Sequence, residues 1–77
     1  MKKITLLNGP NLNLLGVREP TEYGVSTLDD ILSECLKFAN KNGFVLDPFQ
    51  SNSEADLINR IQSAMHDQSE GILINPG

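Results

Sequence analysis

Short apolar runs alternate along the chain with longer stretches that mix apolar and polar residues. Residues 4–7 form an apolar run that predicts a buried strand near the start of the chain. Residues 44–46 predict a second strand, which can extend to Phe49. Pro48 places this strand at a sheet edge or near its own end, because proline cannot donate to a strand ladder. Residues 72–74, apolar throughout, predict a third strand.

The stretch between the first and second strands has the spacing of an amphipathic helix. Ser26 or Thr27 can cap its start with an aspartate three residues later, and Gly43 suits the position just after its end. Its apolar positions recur at helical intervals and predict one buried face made of Leu28, Ile31, Leu32, Cys35, Leu36 and Ala39.

A second amphipathic stretch lies between the second and third strands. Ser53 and Asp56 have the spacing of a capping box, and residues 68–71 are expected to end this helical element. Its apolar face is predicted to contain Leu57, Ile58, Ile61, Ala64 and Met65. The order β-α-β-α-β is typical of an α/β protein in which right-handed crossovers place helices over a parallel sheet.

Residues 8–24 form an unusually long connection after the first strand. Connections in compact domains have a median length of about 4–6 residues, and longer ones are usually functional or disordered. This connection carries leucines that favour docking onto the domain, together with polar groups suited to recognition and proton transfer: Asn8, Asn11, Asn13, Arg18 and Tyr23. Taken alone, the tyrosine is more often a loop anchor than a base, and the asparagines are ordinary turn residues.

The same topology predicts which loops meet. Ligands of doubly wound sheets bind beyond the carboxyl ends of the strands, where the strand order reverses. If the order is 2-1-3, as in flavodoxin-like sheets, the reversal lies between the first and third strands. The connection of residues 8–24 is then a neighbour of residues 75–77, and we expect the side chains of Asn11 and Asn75 to face one cleft.

Composition and charge exclude several classes of function. The chain has 77 residues and a formal net charge of −4, so it has no overall electrostatic attraction to nucleic acid or to an anionic membrane. No apolar run approaches the roughly 20 residues that span a bilayer. A single cysteine, Cys35, excludes an internal disulfide and a cysteine-based zinc site, and the cytoplasm is the default compartment. Because a turn follows the last strand directly, we interpret residues 1–77 as the N-terminal portion of one longer domain.

Four motifs occur in order at residues 7–16, 18–24, 50–52 and 74–77. They resemble the motifs of type II 3-dehydroquinate dehydratase, and the resemblance covers essentially the whole chain. It implies a flavodoxin-like parallel sheet with helices on both faces, truncated here after the third strand, and a homo-dodecamer. It also implies the lyase reaction that converts 3-dehydroquinate to 3-dehydroshikimate in the shikimate pathway of aromatic amino acid biosynthesis, or the reverse reaction in quinate catabolism. No metal, Schiff base or organic cofactor is implied.

The resemblance also implies roles for individual residues. Tyr23 matches the residue that removes a proton alpha to the ketone, and Arg18 matches the residue that stabilises the charged states. Asn11 matches an active-site residue, and Asn75 matches a residue that binds the substrate. The family's general-acid histidine matches no position in these 77 residues, and the only histidine, His66, is given no catalytic role. We therefore expect the 77 residues alone to be inactive.

Two other functions stay open at this point. One is a truncated remnant without catalysis, which acts at most as a binding or assembly module. The other is an unrelated flavodoxin-like signalling or anion-binding domain, although the chain lacks the acidic cluster that receiver domains carry after their first strand. The bases after the Gly77 codon separate the remnant from the enzyme, because an open frame that soon encodes Thr-His supports the enzyme and a stop codon supports the remnant.

Overall fold

Three parallel strands form the centre of the structure, a computed structural model that describes residues 2–17 and 25–77. They are β1 (Lys2–Asn8), β2 (Phe44–Gln50) and β3 (Ser69–Asn75). The order in the sheet is β2-β1-β3, with β1 parallel to both neighbours. This arrangement confirms the β-α-β-α-β reading and the 2-1-3 strand order.

The carboxyl ends of the strands lie level with one another. Asn8, the last residue of β1, is paired with Gln50 on one side and with Asn75 on the other. The loops that follow the three strands therefore start side by side. Pro48 lies inside β2 opposite Leu6, and β2 has β1 as its only neighbour in the described sheet, so the prediction of an edge strand is confirmed.

The first helix, α1 (Leu28–Lys41), begins at a complete capping box. Thr27 is the cap: its hydroxyl accepts from the Asp30 amide at 3.1 Å, and its own amide donates to the Asp30 carboxylate at 3.0 Å. The helix ends before Gly43, which has φ +82. The predicted helix is confirmed, and Thr27 rather than Ser26 starts it.

The second helix, α2 (Glu54–Ala64), has only half of its predicted capping box. The Ser53 hydroxyl accepts from the Asp56 amide at 3.3 Å, as expected. The Ser53 amide donates instead to the Ser51 hydroxyl oxygen at 3.0 Å, and that hydroxyl donates to the Asp56 carboxylate at 3.5 Å. The Ser51 hydroxyl thus replaces the Asp56 carboxylate as acceptor of the Ser53 amide, so the reciprocal bond of the predicted capping box is absent and that part of the prediction is wrong.

Strand β3 starts three residues before the predicted position. Residues 68–71 were expected to end the second helical element, but α2 ends at Ala64 and Ser69 already pairs with Lys3. Gln68 has φ +68, which turns the chain back towards the sheet. The Asp67 carboxylate then accepts from the Ser69 amide at 3.0 Å and fixes the start of the strand. The pairing with the distant Lys3 and the local bond to Asp67 together lengthen the strand beyond its apolar run.

The two helices lie on opposite faces of the sheet, as the sequence predicts. Leu6 lines a groove of about 640 Å³ between α1 and the sheet. Its neighbour Leu7 lies with Leu57 and Ile61 of α2. Because successive strand residues point to opposite faces, α1 and α2 cover different faces.

Within residues 2–17 and 25–77, a small core is fully buried. Leu7 is 1% exposed, and Ala39 and Ala64 are also buried. Several large apolar side chains are exposed, among them Phe38 at 72% and Leu73 at 57%. The predicted apolar face of α1 is therefore only partly covered, and Phe38, which was not predicted to belong to it, lines the groove beside Cys35.

A network of charged side chains joins α2 to the amino end of the sheet. Arg60 donates to Asp67 at 3.0 Å and pairs with Asp47 of β2, while Lys3 of β1 contacts Asp67 at 3.2 Å. The Ser69 hydroxyl donates to Asp67 at 2.6 Å. We call these five residues the amino-end cluster. The bond from Ser69, followed by those from Lys3 and Arg60, holds the pKa of Asp67 well below its usual range.

Candidate active site

The loops after the three strands meet at the carboxyl edge of the sheet. The strand order reverses between β1 and β3, and a doubly wound sheet binds its ligands at that point. The prediction that the loops after the first and third strands are neighbours is confirmed, and that a ligand binds at this edge stays a prediction.

The loops after β1 and β3 are in direct backbone contact. The Gly9 amide donates to the Asn75 carbonyl oxygen at 2.8 Å. A Cβ atom at Gly9 would overlap the carbonyl group of Pro76. Gly77 has φ +92, and a Cβ atom there would lie 2.6 Å from the Pro10 carbonyl oxygen. Only glycine permits this approach, so both turns are part of one close junction.

The loop after β2 joins the same junction from the other side. The Ser51 amide donates to the Asn8 carbonyl oxygen at 3.1 Å. The Gln50 side-chain amide donates to the Gly9 carbonyl oxygen at 3.2 Å. Hydrogen bonds therefore hold the start of the loop after β1 between the loops that follow β2 and β3.

Asn11 stands at the start of a short 3₁₀ turn formed by Leu12–Leu14. It has φ 70, in the left-handed region that asparagine tolerates better than most residues, and its side chain makes no capping hydrogen bond. The side chains of Asn11 and Asn13 are exposed, whereas Leu12, Leu14 and Leu15 are half buried. The loop thus docks through its leucines, as predicted, and leaves its asparagines exposed.

Two of the four predicted site residues are brought to the junction by the described backbone. Asn11 follows β1, and Asn75 is the exposed last residue of β3 whose carbonyl oxygen binds Gly9. That the two asparagine side chains face one cleft stays a prediction.

Arg18 and Tyr23, the other two predicted site residues, lie outside the described residues. The described residues on either side of them come close together. Gly16 has φ +76, and a Cβ atom there would lie 2.9 Å from the carbonyl carbon of Ser26. The two described segments that flank residues 18–24 are therefore in close contact at Gly16 and Ser26.

His66 lies at the opposite edge of the sheet from this junction. Its amide donates to the Ser63 carbonyl oxygen at 2.9 Å just after α2, and the next residue, Asp67, accepts at its carbonyl oxygen from Lys3 at the start of β1. The sequence-based placement of His66 away from the site is therefore confirmed.

Residues 2–17 and 25–77 contain no group of three or more histidine, cysteine, aspartate or glutamate side chains arranged to hold a metal ion. No helix within these ranges is long and apolar enough to cross a membrane.

Gln50 and Asn52 lie in the motif at residues 50–52, but no role was predicted for either side chain. Both carry amide side chains just after a strand, and both make bonds to the loop after β1. The available signal was their spacing: two amides flank one serine at the carboxyl end of a strand next to the switch point.

Comparison of the sequence with known families and proteins identifies its relatives. A profile of the family described as dehydroquinase class II matches residues 2–77. A 3-dehydroquinate dehydratase of Actinobacillus pleuropneumoniae is 54% identical over 77 residues, which are 100% of this chain and 49% of that protein. A catabolic 3-dehydroquinase of Penicillium rubens is 53% identical over 76 residues, 99% of this chain and 48% of that protein.

Solved structures show the same fold. The type II dehydroquinase of Butyrivibrio crossotus superposes with a TM-score of 0.93 at 37% identity, covering 99% of this chain and 52% of that chain. The type II dehydroquinase of Propionibacterium acnes superposes with a TM-score of 0.89 at 36% identity, covering 100% and 52%. The chain thus spans about half the length of the proteins that it matches.

Proposed function

This chain belongs to the class II dehydroquinase family, and we propose that it forms part of an enzyme that dehydrates 3-dehydroquinate to 3-dehydroshikimate. The observation that carries the proposal is the junction of the loops after β1 and β3, where the Gly9 amide binds the Asn75 carbonyl oxygen at 2.8 Å. This junction lies where a doubly wound sheet binds its ligands. The printed names of the relatives support the same substrate. Because the chain spans about half of their length, the activity is proposed for the complete product of the gene, hereafter the complete protein.

In this proposal Tyr23 removes the proton alpha to the ketone. A phenol has an ordinary pKa near 10 and is a poor base at neutral pH. A guanidinium beside it favours the phenolate, because an opposite charge stabilises the ionised form. Arg18 belongs to the same connection as Tyr23. One loop can therefore present both groups to the site.

Asn11 and Asn75 are proposed to bind the substrate and the charge that develops on it. Removal of the proton gives an enolate, whose oxygen is stabilised by hydrogen-bond donors placed where its charge appears. The exposed Asn11 side chain has an amide to donate and makes no capping bond. Asn75 is exposed beside the Gly9 amide. We assign enolate stabilisation to Asn11 and substrate binding to Asn75.

Loss of the hydroxyl group needs a proton donor. A positioned acid contributes about 10²–10⁴-fold to the rate of such a step. His66, the only histidine in the sequence, follows α2 next to an aspartate that binds Lys3, at the amino edge of the sheet. We therefore propose that the 77 residues alone do not catalyse the dehydration, and that the acid lies outside them.

The homo-dodecamer and the cytoplasmic location belong to the same proposal. The resemblance supports the dodecamer, and the single cysteine supports a reducing compartment. Size-exclusion chromatography with light scattering tests the assembly, because a dodecamer has about twelve times the mass of one complete protein. A complete protein that elutes as a stable monomer would remove this part of the proposal.

Ultraviolet absorbance of the enone product tests the proposed activity. The complete protein should dehydrate 3-dehydroquinate, and Arg18→Ala should lower its turnover strongly because the charge that favours phenolate is lost. Lys41→Ala, which removes a positive charge from the end of α1, is the control and should leave turnover unchanged. A folded complete protein without turnover would instead support the second candidate, a remnant that acts as a binding or assembly module.

A further inference from the structure

We propose that Gln50 and Asn52 are positioning residues that hold Asn11 in its left-handed conformation at the candidate active site. Asn52 Oδ1 accepts from the Asn11 amide at 2.9 Å and from Gln50 Nε2 at 3.2 Å. Gln50 Nε2 also donates to the Gly9 carbonyl oxygen at 3.2 Å. The two side-chain amides are bonded to each other, and together they bind the loop after β1 at the Gly9 carbonyl oxygen and at the Asn11 amide.

The partners fix the orientation of both amides. The Gly9 carbonyl oxygen can only accept, so Gln50 must direct its NH₂ group towards it. The Asn11 backbone amide can only donate, so Asn52 must direct its oxygen towards it. The remaining bond, from Gln50 Nε2 to Asn52 Oδ1, then joins a donor to an acceptor. No alternative rotation of either amide preserves the three bonds.

The pair continues the pairing between β1 and β2 beyond the ends of the strands. Asn8 and Gln50 are the last residues paired in the ladder, and the Ser51 amide still binds the Asn8 carbonyl oxygen. The chain of β1 then turns away, and the side chains of Gln50 and Asn52 bind the groups that the backbone of β2 no longer reaches. Side-chain amides thus replace the backbone groups of a ladder over the first residues of the loop.

A local turn does not account for Asn52. Asparagine in turns usually bonds to its own backbone nearby, whereas Asn52 binds a residue 41 positions away in the sequence. The side chain is exposed, so it does not serve the apolar core. Its own loop is anchored independently, because Ser51 and Ser53 bond to one another and to Asp56 of α2. Asn52 therefore reaches the loop after β1 from a fixed base.

The left-handed conformation of Asn11 explains why Gln50 and Asn52 matter for the candidate active site. A left-handed residue other than glycine persists only where its surroundings over-determine it. Asn11 has φ 70, and its amide is bound by Asn52 rather than by its own helical turn. Asn11 is the residue proposed to act on the enolate, so a substitution that breaks the bonds of Gln50 or Asn52 should displace its side chain and lower turnover. This consequence for turnover rests on the proposed function.

Two isosteric changes of equal charge separate a positioning role from a general effect. Asn52→Asp keeps the acceptor oxygen and adds a second one, so the bonds from the Asn11 amide and from Gln50 survive. Gln50→Glu removes the donor and sets a carboxylate against two acceptors, the Gly9 carbonyl oxygen and Asn52 Oδ1. Gln62→Glu, on an exposed position of α2, makes the same chemical change away from the junction and is the control for charge.

Crystal structures and steady-state kinetics of these variants of the complete protein test the inference. Gln50→Glu should move Asn11 out of the left-handed region and lower kcat roughly 10- to 100-fold with little change in KM, because a small misplacement of a reacting group has an effect of that size. Asn52→Asp should keep the conformation of Asn11 and most of kcat, and Gln62→Glu should match wild type. Asn52→Leu removes the acceptor for the Asn11 amide but leaves the bond from Gln50 to Gly9 in place. It is the second test variant if Gln50→Glu does not fold. It too should move Asn11 out of the left-handed region and lower kcat roughly 10- to 100-fold.

The two readouts separate failure of this inference from failure of the proposed function. Asn11 unmoved in both Gln50→Glu and Asn52→Leu overturns the positioning role, whatever the activity. Asn11 displaced with wild-type kcat overturns its link to catalysis. A wild-type complete protein that does not dehydrate 3-dehydroquinate overturns the proposed function, and the crystal structures alone then decide whether Gln50 and Asn52 hold the loop.

Discussion

The amide of Gly9 donates to the carbonyl oxygen of Asn75 at 2.8 Å, and this bond joins the end of β1 to the end of β3. The two residues are far apart in the sequence, yet they begin the two loops that flank the switch point of the sheet. The candidate active site is built on this contact, because Asn11 follows one of its partners and Asn75 is the other.

Gly9→Ala should break this contact, because a methyl group would overlap the Pro76 carbonyl. The expected loss is about 1–3 kcal/mol in the free energy of unfolding, the usual effect of overpacking. Turnover should fall as well. Urea unfolding and the enone assay on the complete protein measure the two effects.

Gly71→Ala is the matched control for that change. A Cβ atom at Gly71 would meet only the Cδ1 atom of Ile4, at an ordinary contact distance of 3.5 Å. The substitution should stabilise the fold by up to about 1 kcal/mol through the lower entropy of the unfolded chain, and it should leave turnover unchanged. Equal behaviour of the two glycine variants would contradict the close junction.

Arg60→Ala should destabilise the fold by removing the centre of the amino-end cluster. The Arg60 side chain is 15% exposed and is paired with both Asp47 and Asp67. Its loss leaves Lys3 as the remaining cation in contact with both carboxylates, and we expect a decrease on the order of 2 kcal/mol in the free energy of unfolding. Lys2→Ala is the control, because its pair with Glu70 is long and exposed and should contribute less than about 1 kcal/mol. The reverse ranking in urea unfolding would show that the cluster does not hold α2 to the sheet.

Asp67 should make the fold sensitive to acid. Its pKa is lower in the folded state than in the unfolded chain, so the unfolded state binds the proton more readily. The stabilisation is present above the unfolded value of about 4 and is lost as the pH falls below it. Asp67→Asn should be less stable than wild type at pH 7, and the difference should shrink as the pH falls below about 4. Glu34→Gln, at an exposed position of α1, is the control, and a difference for Asp67→Asn that does not depend on pH would refute this role.

The 77 residues by themselves should fold poorly or aggregate. Leu73 and Ile74 of β3 are each 57% exposed, and Phe38 of α1 is more exposed still. β3 pairs with β1 on one side and has no second neighbour in the described sheet, and exposed apolar side chains on such an edge strand favour pairing between chains. Leu73→Lys should reduce the aggregation, since charge on such a strand opposes pairing. Sharp, dispersed amide spectra from a dilute wild-type monomer would contradict this prediction.

Local signals in the sequence were sufficient for most of the fold. The capping pair Thr27 and Asp30 and the helical spacing that follows it are local, and both are present. Pro48 correctly marked an edge strand because the reason, a missing donor, belongs to the residue itself. The strand order followed from the alternation of strands and helices together with the flavodoxin-like resemblance.

The predictions that failed depend on partners distant in the sequence. Ser69 joins β3 because it pairs with Lys3 of β1, although nothing apolar marks it as a strand residue. Gln50 and Asn52 belong to the motif at residues 50–52, but their bonds to the loop after β1 join residues 41 positions apart and could not be predicted from the local sequence. For the site, the edge of the sheet could be predicted from topology, and the roles of Arg18 and Tyr23 come from the resemblance alone.

The dehydration of 3-dehydroquinate by wild-type and Tyr23→Phe complete protein, followed by ultraviolet absorbance of the enone product, tests the assigned function most directly. The substitution deletes only the phenolic oxygen, so substrate binding should stay nearly intact while turnover is abolished. Wild type should be active, and the bare 77 residues should show no measurable turnover. Wild-type turnover from Tyr23→Phe, or strong activity from the 77 residues alone, would show that the chemistry lies with other residues.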